Sequence, residues 1–592
     1  MISAWYNKIN IITKNIAKKG FHMKKNTFVS LKTPFENDGE SWDIYPRPQM
    51  VRDSYLSLCG EWDLLAIGKE KLPLGNIKVP FPPESRLSGI ERAPQKGEFY
   101  RYIKKFKICK DFLNEKTLLH FGAADQIARV TLNGVFLGEH IGGYLPFSFD
   151  VTQCVRVGEN ELTVDITDET DTELPYGKQR KKRGGMWYTP ISGIWQNVWL
   201  ESVPENAFRN LRLTPTLTDI TIETEGGEDE KRLLIEMPDG VVEHTFIGGK
   251  TTVPIENPIL WTPEQPHLYP FTLTDGKDTV HSYFALRTIG TVTVNEKQYL
   301  ALNGKPYFFH GLLDQGYFSD GIFLPASPEG FRYDIRTMKS LGFNMLRKHI
   351  KIEPDLFYYE CDKQGMIVFQ DMVNSGKYNF LIDTALPTVG MKKGISHRAS
   401  AKRREIFEIS CEETLRLLYN HPCVCCYTIF NEGWGQYDAD RLYEKYKAMY
   451  PNYIFDTTSG WFEETKSDVK SEHVYFKKLD MKESTRPLVL SEFGGYSFKI
   501  PDHSFNLGNT YGYRFFNDEE AFTQALENLY RNEVVSMIER GLCASVLTQV
   551  SDVEDETNGI VTYDRQRIKI DAERMKNISE TIFYTFEKNL LQ

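Results

Sequence analysis

The sequence lacks the cysteine framework that holds small secreted domains together. Its 9 cysteines are an odd number scattered along 592 residues, whereas secreted disulfide scaffolds carry even sets of cysteines at regular spacings. The pattern therefore indicates reduced thiols and a cytoplasmic location.

Three of these cysteines lie close together, at Cys423, Cys425 and Cys426. Thiolates at this spacing can bind a metal ion, but such a site needs further cysteine or histidine ligands, and no second cluster lies nearby. The surrounding valine, tyrosine and isoleucine residues are typical of a buried strand. We predict buried strand cysteines here and no metal site.

Long apolar runs and a basic excess are also missing. No segment approaches the ~18 uncharged apolar residues that a membrane helix needs, and residues 1–22 mix lysine with isoleucine instead of forming the apolar centre of a signal peptide. The formal net charge of −10 argues against nucleic acid, because proteins that bind it usually present a dominant basic face. We expect no membrane and no nucleic-acid partner, and we expect residues 1–34 to form a disordered N-terminal extension.

The length of the chain predicts several domains, because a single core rarely supports so many residues. Residues 35–205 show short alternating strands with an Asn133-Gly134 hairpin signal, which predicts a jelly-roll, sugar-binding-like β-sandwich. Residues 206–290 have the pattern of a small immunoglobulin-like β-sandwich. Over residues 291–592, strands and helices alternate in about eight βα units, which predicts a catalytic (β/α)8 TIM barrel. An open doubly wound sheet is the alternative, but no P-loop or G-x-G-x-x-G dinucleotide motif supports it.

Two glutamates stand where buried strands give way to glycine-containing loops. Glu432 follows the run Cys425 to Phe430 and Asn431, and Glu492 follows Leu488 to Ser491. Glycosidic bonds break with one carboxylic acid that protonates the leaving oxygen and one carboxylate at the anomeric carbon. Counting strands places the two acids at the ends of the fourth and seventh barrel strands, so both can reach the barrel mouth. A separation near ~5 Å would make the enzyme retaining. Each acid alone could instead be a surface loop residue or part of a turn.

Further polar and aromatic residues are expected around the two acids. Asn431 offers an amide to a sugar hydroxyl. Trp434 and Trp461 offer flat apolar faces to a sugar, or they pack the rim of the loops. Arg347 and His349 end the second barrel strand, where they line the mouth or form a structural ion pair.

Three strand ends supply the remaining candidates. Asp371 closes the third strand, and Asp314 follows the first, where it contacts substrate or stabilises its loop. His473 and Tyr475 are two residues apart, so in a strand they share one face and both can reach the pocket, although either can instead be a core residue.

The chain resembles glycoside hydrolase family 2, the family of β-galactosidases, β-glucuronidases and β-mannosidases. The resemblance rests on the Asn431-Glu432 pair, the later Glu492, and segments of the first sandwich at 128–138, 142–147 and 192–201. It implies that Glu432 is the acid/base and Glu492 the nucleophile, with Asn431 holding the substrate 2-hydroxyl. It also implies that Tyr475 lies near the nucleophile and that Arg347 and His349 line the site.

Two features of the sequence bear on which sugar the protein cleaves. The chain lacks the Asn-x-Lys signature with which β-glucuronidases hold the sugar carboxylate, and it has Gly185 where large β-galactosidases carry an acid. We expect a retaining exo-β-glycosidase with β-galactosidase-like specificity that acts on an oligosaccharide or glycoside without a cofactor. The alternatives are a β-glucuronidase or another β-glycosidase of the family, a transglycosidase, and a catalytically silent carbohydrate-binding relative. A homo-oligomer is compatible with the sequence.

The one concentrated basic run, residues 178–183, has two interpretations. It could bind a carboxylated glycan or a partner, or it could be a solvated loop.

Overall fold

The computed structural model describes residues 26–37, 39–385, 387, 399–462 and 464–591. Of the expected N-terminal extension, residues 1–25 lie outside the described residues. Residues 26–33 lie against the rest of the chain. Val29 N donates to Phe505 O at 2.8 Å, and Thr33 N donates to Asp320 Oδ2 at 3.0 Å.

The first β-sandwich pairs a six-stranded antiparallel sheet, in the order β3-β2-β4-β10-β7-β8, with a four-stranded sheet, β1-β12-β5-β9. The two sheets share one apolar core that includes Trp62, Tyr102 and Phe121. Asn133 and Gly134 both have positive φ and join β7 to β8, as two-residue hairpins require. The strands are β1 (Leu56–Ser57), β2 (Gly60–Ile67), β3 (Lys71–Val79), β4 (Phe99–Ile108), β5 (Lys116–Phe121), β6 (Ala124–Asp125), β7 (Ile127–Leu132), β8 (Val135–Ile141), β9 (Phe147–Asp150), β10 (Gly158–Thr167), β11 (Gly193–Ile194) and β12 (Val198–Val203).

The second β-sandwich is smaller and consists of sheets β13-β14-β17 and β16-β15-β18-β19. Alternate residues of both sheets point inward and form its core. A hairpin sheet, β20-β21-β22, follows it. The strands are β13 (Asn210–Pro215), β14 (Asp219–Glu225), β15 (Glu230–Met237), β16 (Gly240–Ile247), β17 (Lys250–Pro254), β18 (Tyr269–Thr274), β19 (Thr279–Phe284), β20 (Ile289–Val294), β21 (Lys297–Leu302) and β22 (Lys305–Pro306).

Eight parallel strands then form a barrel sheet in the order β27-β26-β25-β24-β23-β32-β29-β28. All residues of β23, β25, β26, β29 and β32 are buried, as expected when helices cover one face of a parallel sheet and side chains fill the other. The two sandwiches and the barrel confirm the predicted fold class. The strands are β23 (Phe309–Asp314), β24 (Met345–Lys348), β25 (Ile367–Asp371), β26 (Val424–Thr428), β27 (Ile454–Asp456), β28 (Lys470–Val474), β29 (Leu488–Gly494) and β32 (Leu542–Thr548), with a small pair β30 (Tyr496–Phe498) and β31 (Arg514–Phe516) after the seventh barrel strand.

The helices cover this barrel unevenly. In the described part of the chain, no helix follows the fifth strand β27 or the sixth strand β28, and the second of these connections contains Pro487. No helix of the described residues is long and apolar enough to cross a membrane. The helices are α1 (Glu329–Ser340), α2 (Asp355–Gln364), α3 (Ala401–Leu418), α4 (Ala439–Met449), α5 (Glu519–Leu529), α6 (Val535–Ile538) and α7 (Ala572–Leu590).

Candidate active site

Glu432 lies just beyond the fourth barrel strand, β26, in a backbone conformation that non-glycine residues rarely adopt. Its φ is 52° and its ψ is 23°, which is the left-handed region and costs on the order of 1 kcal/mol or more for a side chain with a Cβ. The backbone N–H of Glu432 donates to Ser459 O at 2.8 Å, in the loop after the fifth strand. This contact holds the turn, and the side chain stays 14% exposed at the barrel mouth.

Glu492 lies within the seventh strand, β29, near its carboxyl end, and is 5% exposed. The register of β29 against its neighbour β32 shifts between Leu490 and Phe493, and such irregularities re-aim side chains. One carboxylate oxygen of Glu432, one of Glu492 and a ring nitrogen of His473 lie within 4.8 Å of one another. Two acids that are distant in the sequence therefore lie side by side at one end of the barrel.

Arg347 contacts Glu492 and also Asn431, the residue that precedes Glu432. Its Nη1 donates to Glu492 Oε1 at 3.1 Å, and its Nη2 donates to Asn431 Oδ1 at 2.7 Å. Its Nε donates to Asp371 Oδ1 at 2.9 Å. Because the oxygen of the Asn431 amide is taken by Arg347, its NH₂ group is left to donate to a ligand.

Asp371 and His349 hold Arg347 in place from the other side. His349 Nδ1 lies 2.8 Å from Asp371 Oδ2. Burial alone would raise the pKa of Asp371, but the charge of Arg347 and the bond to His349 lower it to about 2. Burial lowers the pKa of His349 to about 3, so its ring is neutral and donates to the ionised Asp371.

His473, on the sixth strand, lies between the two glutamates. Its Nε2 is 3.3 Å from Arg347 Nη1, and a guanidinium can only donate, so Nε2 accepts. Burial lowers the pKa of His473 to about 3, so the neutral ring carries its hydrogen on Nδ1. That N–H donates to Glu432 Oε1 at 3.0 Å. A proton on Glu432 is therefore carried by Oε2, the oxygen that His473 leaves open.

Tyr475 contacts the second carboxylate. Its hydroxyl donates to Glu492 Oε2 at 2.5 Å and lies 2.8 Å from Thr548 Oγ1 at the end of the eighth strand. Its ring stacks on Tyr513 with centroids 4.2 Å apart. Together with Arg347, this hydroxyl fixes both oxygens of Glu492.

The two glutamates differ in their environment. Burial raises the pKa of Glu432 to about 7, and the charges of Lys178 and Arg347 oppose part of this rise. Glu492 instead has a guanidinium and a phenol within hydrogen-bond distance. A protonated acid beside a directly charge-paired carboxylate is the arrangement that general acid catalysis requires.

The two tryptophans and Asp314 have different surroundings. Trp434 is 3% exposed, and its ring packs edge-on against Trp187 at 5.2 Å, so little of its face is open to a sugar. Trp461 is half-buried at the rim, 6.2 Å from the His473 ring. Asp314 forms a buried ion pair with Lys348 at 2.6 Å, which corresponds to the stabilising alternative.

The cysteine run forms the fourth strand. Cys423, Cys425 and Cys426 are free and buried. Among the described residues, one group of side chains has metal-ligand proximity, and it consists of Glu432, His473 and Glu492 themselves.

Several contacts of this site carry little signal in the sequence. Ser459 and Ser491 contribute backbone carbonyls, which any residue could supply. Glu556 is buried and accepts hydrogen bonds from Tyr188 and from Asn558. A glycine in the sequence does mark one of these contacts. A Cβ added at Gly460 would lie 2.2 Å from the His473 ring, so Gly460 is a position where the backbone closely approaches the site.

Two parts of the chain match known family models. Residues 90–199 match the family model for a glycosyl hydrolase 2 galactose-binding domain-like domain, and residues 207–287 match the model for glycosyl hydrolases family 2. The chain is 25% identical over 373 residues to a β-galactosidase of Thermoanaerobacter pseudethanolicus, covering 58% of this chain and 46% of that protein. It is 27% identical over 360 residues to a β-glucuronidase of Felis catus, covering 54% of this chain and 52% of that protein. The chain thus spans about half the length of these curated relatives.

Solved structures share the fold at lower identity. A β-D-glucuronidase of Dictyoglomus thermophilum superposes with a TM-score of 0.71 at 18% identity, covering 90% of this chain and 98% of that one. A β-galacturonidase of Eisenbergiella tayi superposes with a TM-score of 0.65 at 19% identity, covering 90% and 97%. The chain is therefore similar to glycoside hydrolase family 2, with family models that match parts of its two sandwiches and solved structures that share its fold.

Proposed function

We propose that this chain is a retaining exo-β-glycosidase that hydrolyses non-reducing-end β-glycosides by double displacement. The observation that carries the proposal is the closeness of the two carboxylates, since one oxygen of Glu432 and one of Glu492 lie within 4.8 Å of each other. Retaining enzymes hold their carboxyl groups ~5–5.5 Å apart, whereas inverting enzymes leave ~6.5–9.5 Å for a water molecule.

In the first step, Glu492 attacks the anomeric carbon and the bond to the leaving oxygen breaks. Glu432 transfers its proton from Oε2 to that oxygen, and a covalent glycosyl ester with Glu492 forms. With a pKa of about 7, Glu432 keeps its proton in about half of the molecules at neutral pH, and these molecules can make the transfer.

In the second step, the ionised Glu432 removes a proton from water as the water oxygen attacks the anomeric carbon. The ester bond to Glu492 breaks, and the sugar leaves with its original β configuration. Glu432 ends this step protonated again, which restores the starting state. Asn431 donates its NH₂ to the 2-hydroxyl, a bond that strengthens as positive charge develops on the sugar ring.

We propose β-galactosidase-like specificity as the starting point, with a β-glucuronidase or another β-glycosidase as the alternative. The same two carboxylates and the same arginine serve each of these substrates, so the chemistry does not depend on the choice of sugar. The discriminating residues must lie above the catalytic pair, at the mouth of the barrel.

The azide rescue of two variants tests the roles of the glutamates. Glu492→Gly with a 2,4-dinitrophenyl β-glycoside and azide should give the α-glycosyl azide, because azide takes the place of the missing nucleophile. Glu432→Gly should give the β-glycosyl azide, because azide attacks the covalent intermediate from the opposite face. Rescue of neither variant, or the same anomer from both, would contradict the assignment.

A further inference from the structure

A second cavity lies outside the candidate active site, where the two sandwiches meet the barrel. Its volume is about 570 Å³, which is within the ~300–1,000 Å³ of small-molecule sites, and such sites often lie at domain interfaces. Its walls come from β5, β9 and β12 of the first sandwich, from the segment that leads into β13 of the second, and from the start of α2 and the end of α3. Neither Glu432 nor Glu492 lines it, so a ligand in this cavity would be bound apart from the catalytic candidates.

Three polar side chains of the first sandwich line this cavity and have atoms without a hydrogen-bond partner. His120, Gln196 and Asn197 are only 9%, 7% and 4% exposed. Among the described residues, no hydrogen bond reaches either ring nitrogen of His120, either amide atom of Gln196, or Oδ1 of Asn197. The amide nitrogen of Asn197 is engaged, since it donates to Trp42 O at 2.6 Å. Because buried polar atoms are nearly always paired, the unpaired ones point to a ligand that completes them.

The His120 ring is neutral and offers an acceptor to the cavity. Burial lowers its pKa to about 4, and the ring stacks on Trp199 with centroids 4.9 Å apart. Its Nε2 is enclosed and lies 4.0 Å from Glu201 Oε2, a carboxylate that attracts the ring hydrogen to that nitrogen. Nδ1 is then the nitrogen without a hydrogen, and it can accept a hydrogen bond from a ligand.

Gln196 is held at the cavity wall by a glycine. A Cβ added at Gly122 would lie 2.7 Å from the Cβ of Gln196 and 2.8 Å from its Oε1, so the Gln196 side chain lies directly against this backbone. Gly122 N also donates to Asn197 O at 2.8 Å. A side chain that is already fixed loses little freedom when a ligand binds. The Gln196 amide therefore supplies hydrogen-bond donors and an acceptor at a defined place.

Asp355 and Arg47 give the cavity a charge of each sign. Asp355, the first residue of α2, has a side chain that is 16% exposed, and its Oδ1 lies 4.0 Å from His421 Nε2. No hydrogen bond from the described residues reaches its carboxylate. Burial raises the pKa of Asp355, and the charges of His421 and Arg47 oppose that rise. An anionic ligand would be repelled by Asp355 and a cationic one by Arg47, so the cavity favours a neutral ligand.

Apolar surface lies beside these polar groups. Leu145, Pro146 and Phe147 line the cavity one after another, and the Phe147 ring stacks on Phe121 at 4.8 Å. A sugar carries hydroxyl groups around its ring edge and C–H groups on its faces, so it is bound best where donors and acceptors adjoin apolar side chains.

We propose that this cavity is a non-catalytic binding site for a neutral sugar of mono- or disaccharide size. The sugar hydroxyls donate to His120 Nδ1 and to Asp355, they accept from the Gln196 amide, and a C–H face packs on the apolar wall. The site does not rest on the proposed function, because no bond is broken in it and neither catalytic candidate contacts it.

Isothermal titration calorimetry with D-galactose, D-glucose, D-mannose and lactose tests this site. The parent protein is the double variant Asn431→Ala, Glu492→Gln, which weakens sugar binding at the catalytic centre and leaves lactose intact. We expect at least one of the four sugars to bind it saturably. Adding Gln196→Leu, or adding His120→Phe, which keeps an aromatic ring on Trp199, should weaken that binding by ~10-fold, since each removes hydrogen bonds to the sugar. Adding Gln95→Leu, which alters an exposed glutamine of the same sandwich, should leave the affinity unchanged.

Thermal melts separate loss of the site from loss of the fold. Without sugar, Gln196→Leu should keep the Tm of the parent or exceed it, because the amide that it removes is buried without a partner. Saturating sugar should raise the Tm of the parent and not that of Gln196→Leu.

Three results would overturn the inference. These are no binding of any of the four sugars to the double variant, equal affinities with and without Gln196→Leu and His120→Phe, and an equal loss of affinity in Gln95→Leu. Failure of the wild type to hydrolyse glycosides would count against the proposed function alone, because the binding measurements require no turnover.

Discussion

His473 Nδ1 lies 3.0 Å from Glu432 Oε1 and 3.5 Å from Glu492 Oε2, so one imidazole N–H is placed between both catalytic candidates. Arg347 fixes the tautomer from the other side of the ring. The hydrogen bond stabilises the ionised form of Glu432, while burial stabilises its protonated form. The protonation of the acid/base is thus a balance between these two effects.

Removal of His473 should therefore shift the pH profile. In His473→Ala, Glu432 loses the donor that favours its carboxylate, so its pKa should rise by about 1 unit, since a hydrogen bond to a charged group is worth ~1.5 kcal/mol or more. The basic limb of kcat/KM should move to higher pH by that amount. His473→Asn, which keeps an N–H donor, should show a smaller shift, and an unchanged limb in His473→Ala would contradict the bridging role.

The wild-type pH profile should fall on the basic side with an apparent pKa of about 7, the value that burial gives Glu432. Above this pH, Glu432 is ionised in the free enzyme and cannot protonate the leaving oxygen. Glu432→Gln should abolish this limb and lower kcat/KM by ~10²–10⁴-fold for alkyl glycosides. Aryl glycosides with good leaving groups should lose much less, and an equal loss on both kinds of substrate would count against the acid role.

The raised pKa of Glu432 also predicts that the folded protein loses stability as the pH rises. Glu432 has an ordinary value near 4.5 and a folded value of about 7, so the fold binds this proton more tightly than the unfolded chain does. Stability contributed by the protonated form is present below pH 4.5 and is lost as the pH rises through 7. Glu432→Gln should accordingly be more stable than the wild type at pH 8 by up to about 3 kcal/mol, and equally stable at pH 4. Urea unfolding at the two pH values measures the difference.

Arg347 should be irreplaceable by a smaller cation. Arg347→Lys cannot reach Asp371, Glu492 and Asn431 together, because an ammonium lacks the planar fork of the guanidinium. We expect kcat/KM to fall by ~10²–10³-fold or more. Arg347→Met should also destabilise the protein by ~3–5 kcal/mol, because two buried carboxylates lose their cation. Arg441→Met removes an exposed pair with Glu408 and should cost only ~0–1 kcal/mol.

Two glycine-to-alanine variants distinguish the effect of backbone strain from the effect of displacing the His473 ring. Gly460 has φ 104°, and an added Cβ would lie 2.2 Å from the His473 ring, whereas Gly75 has φ 98° with nothing within 4 Å. Both Gly460→Ala and Gly75→Ala should lose on the order of 1 kcal/mol from the positive φ. Only Gly460→Ala should lower kcat/KM, by ~10-fold or more. Equal kinetics in the two variants would show that His473 tolerates displacement.

Much of this fold follows from local patterns. Apolar runs that end in polar residues identified the barrel strands. Because the carboxyl ends of parallel strands meet at one end of a barrel, counting strands was enough to bring Glu432 and Glu492 to the same mouth. The missing helices after the fifth and sixth strands were not anticipated, since the count assumed regular units.

The chemistry of the site was harder to predict than its location. The tautomer of His473 depends on Arg347, a residue 126 positions away in the sequence, and no local pattern encodes that contact. From the sequence, Trp434 could either stack on a sugar or pack the loop. In the structure its ring packs against Trp187, which lies in another part of the fold.

The configuration of the first-formed sugar tests the central claim most directly. ¹H NMR of a fresh reaction on a 4-nitrophenyl β-glycoside records the anomer before mutarotation mixes the two forms. Double displacement by Glu492 and Glu432 predicts that the β-anomer appears first and the α-anomer accumulates later. Initial release of the α-anomer would mean single displacement, and the paired roles of the two glutamates would then be wrong.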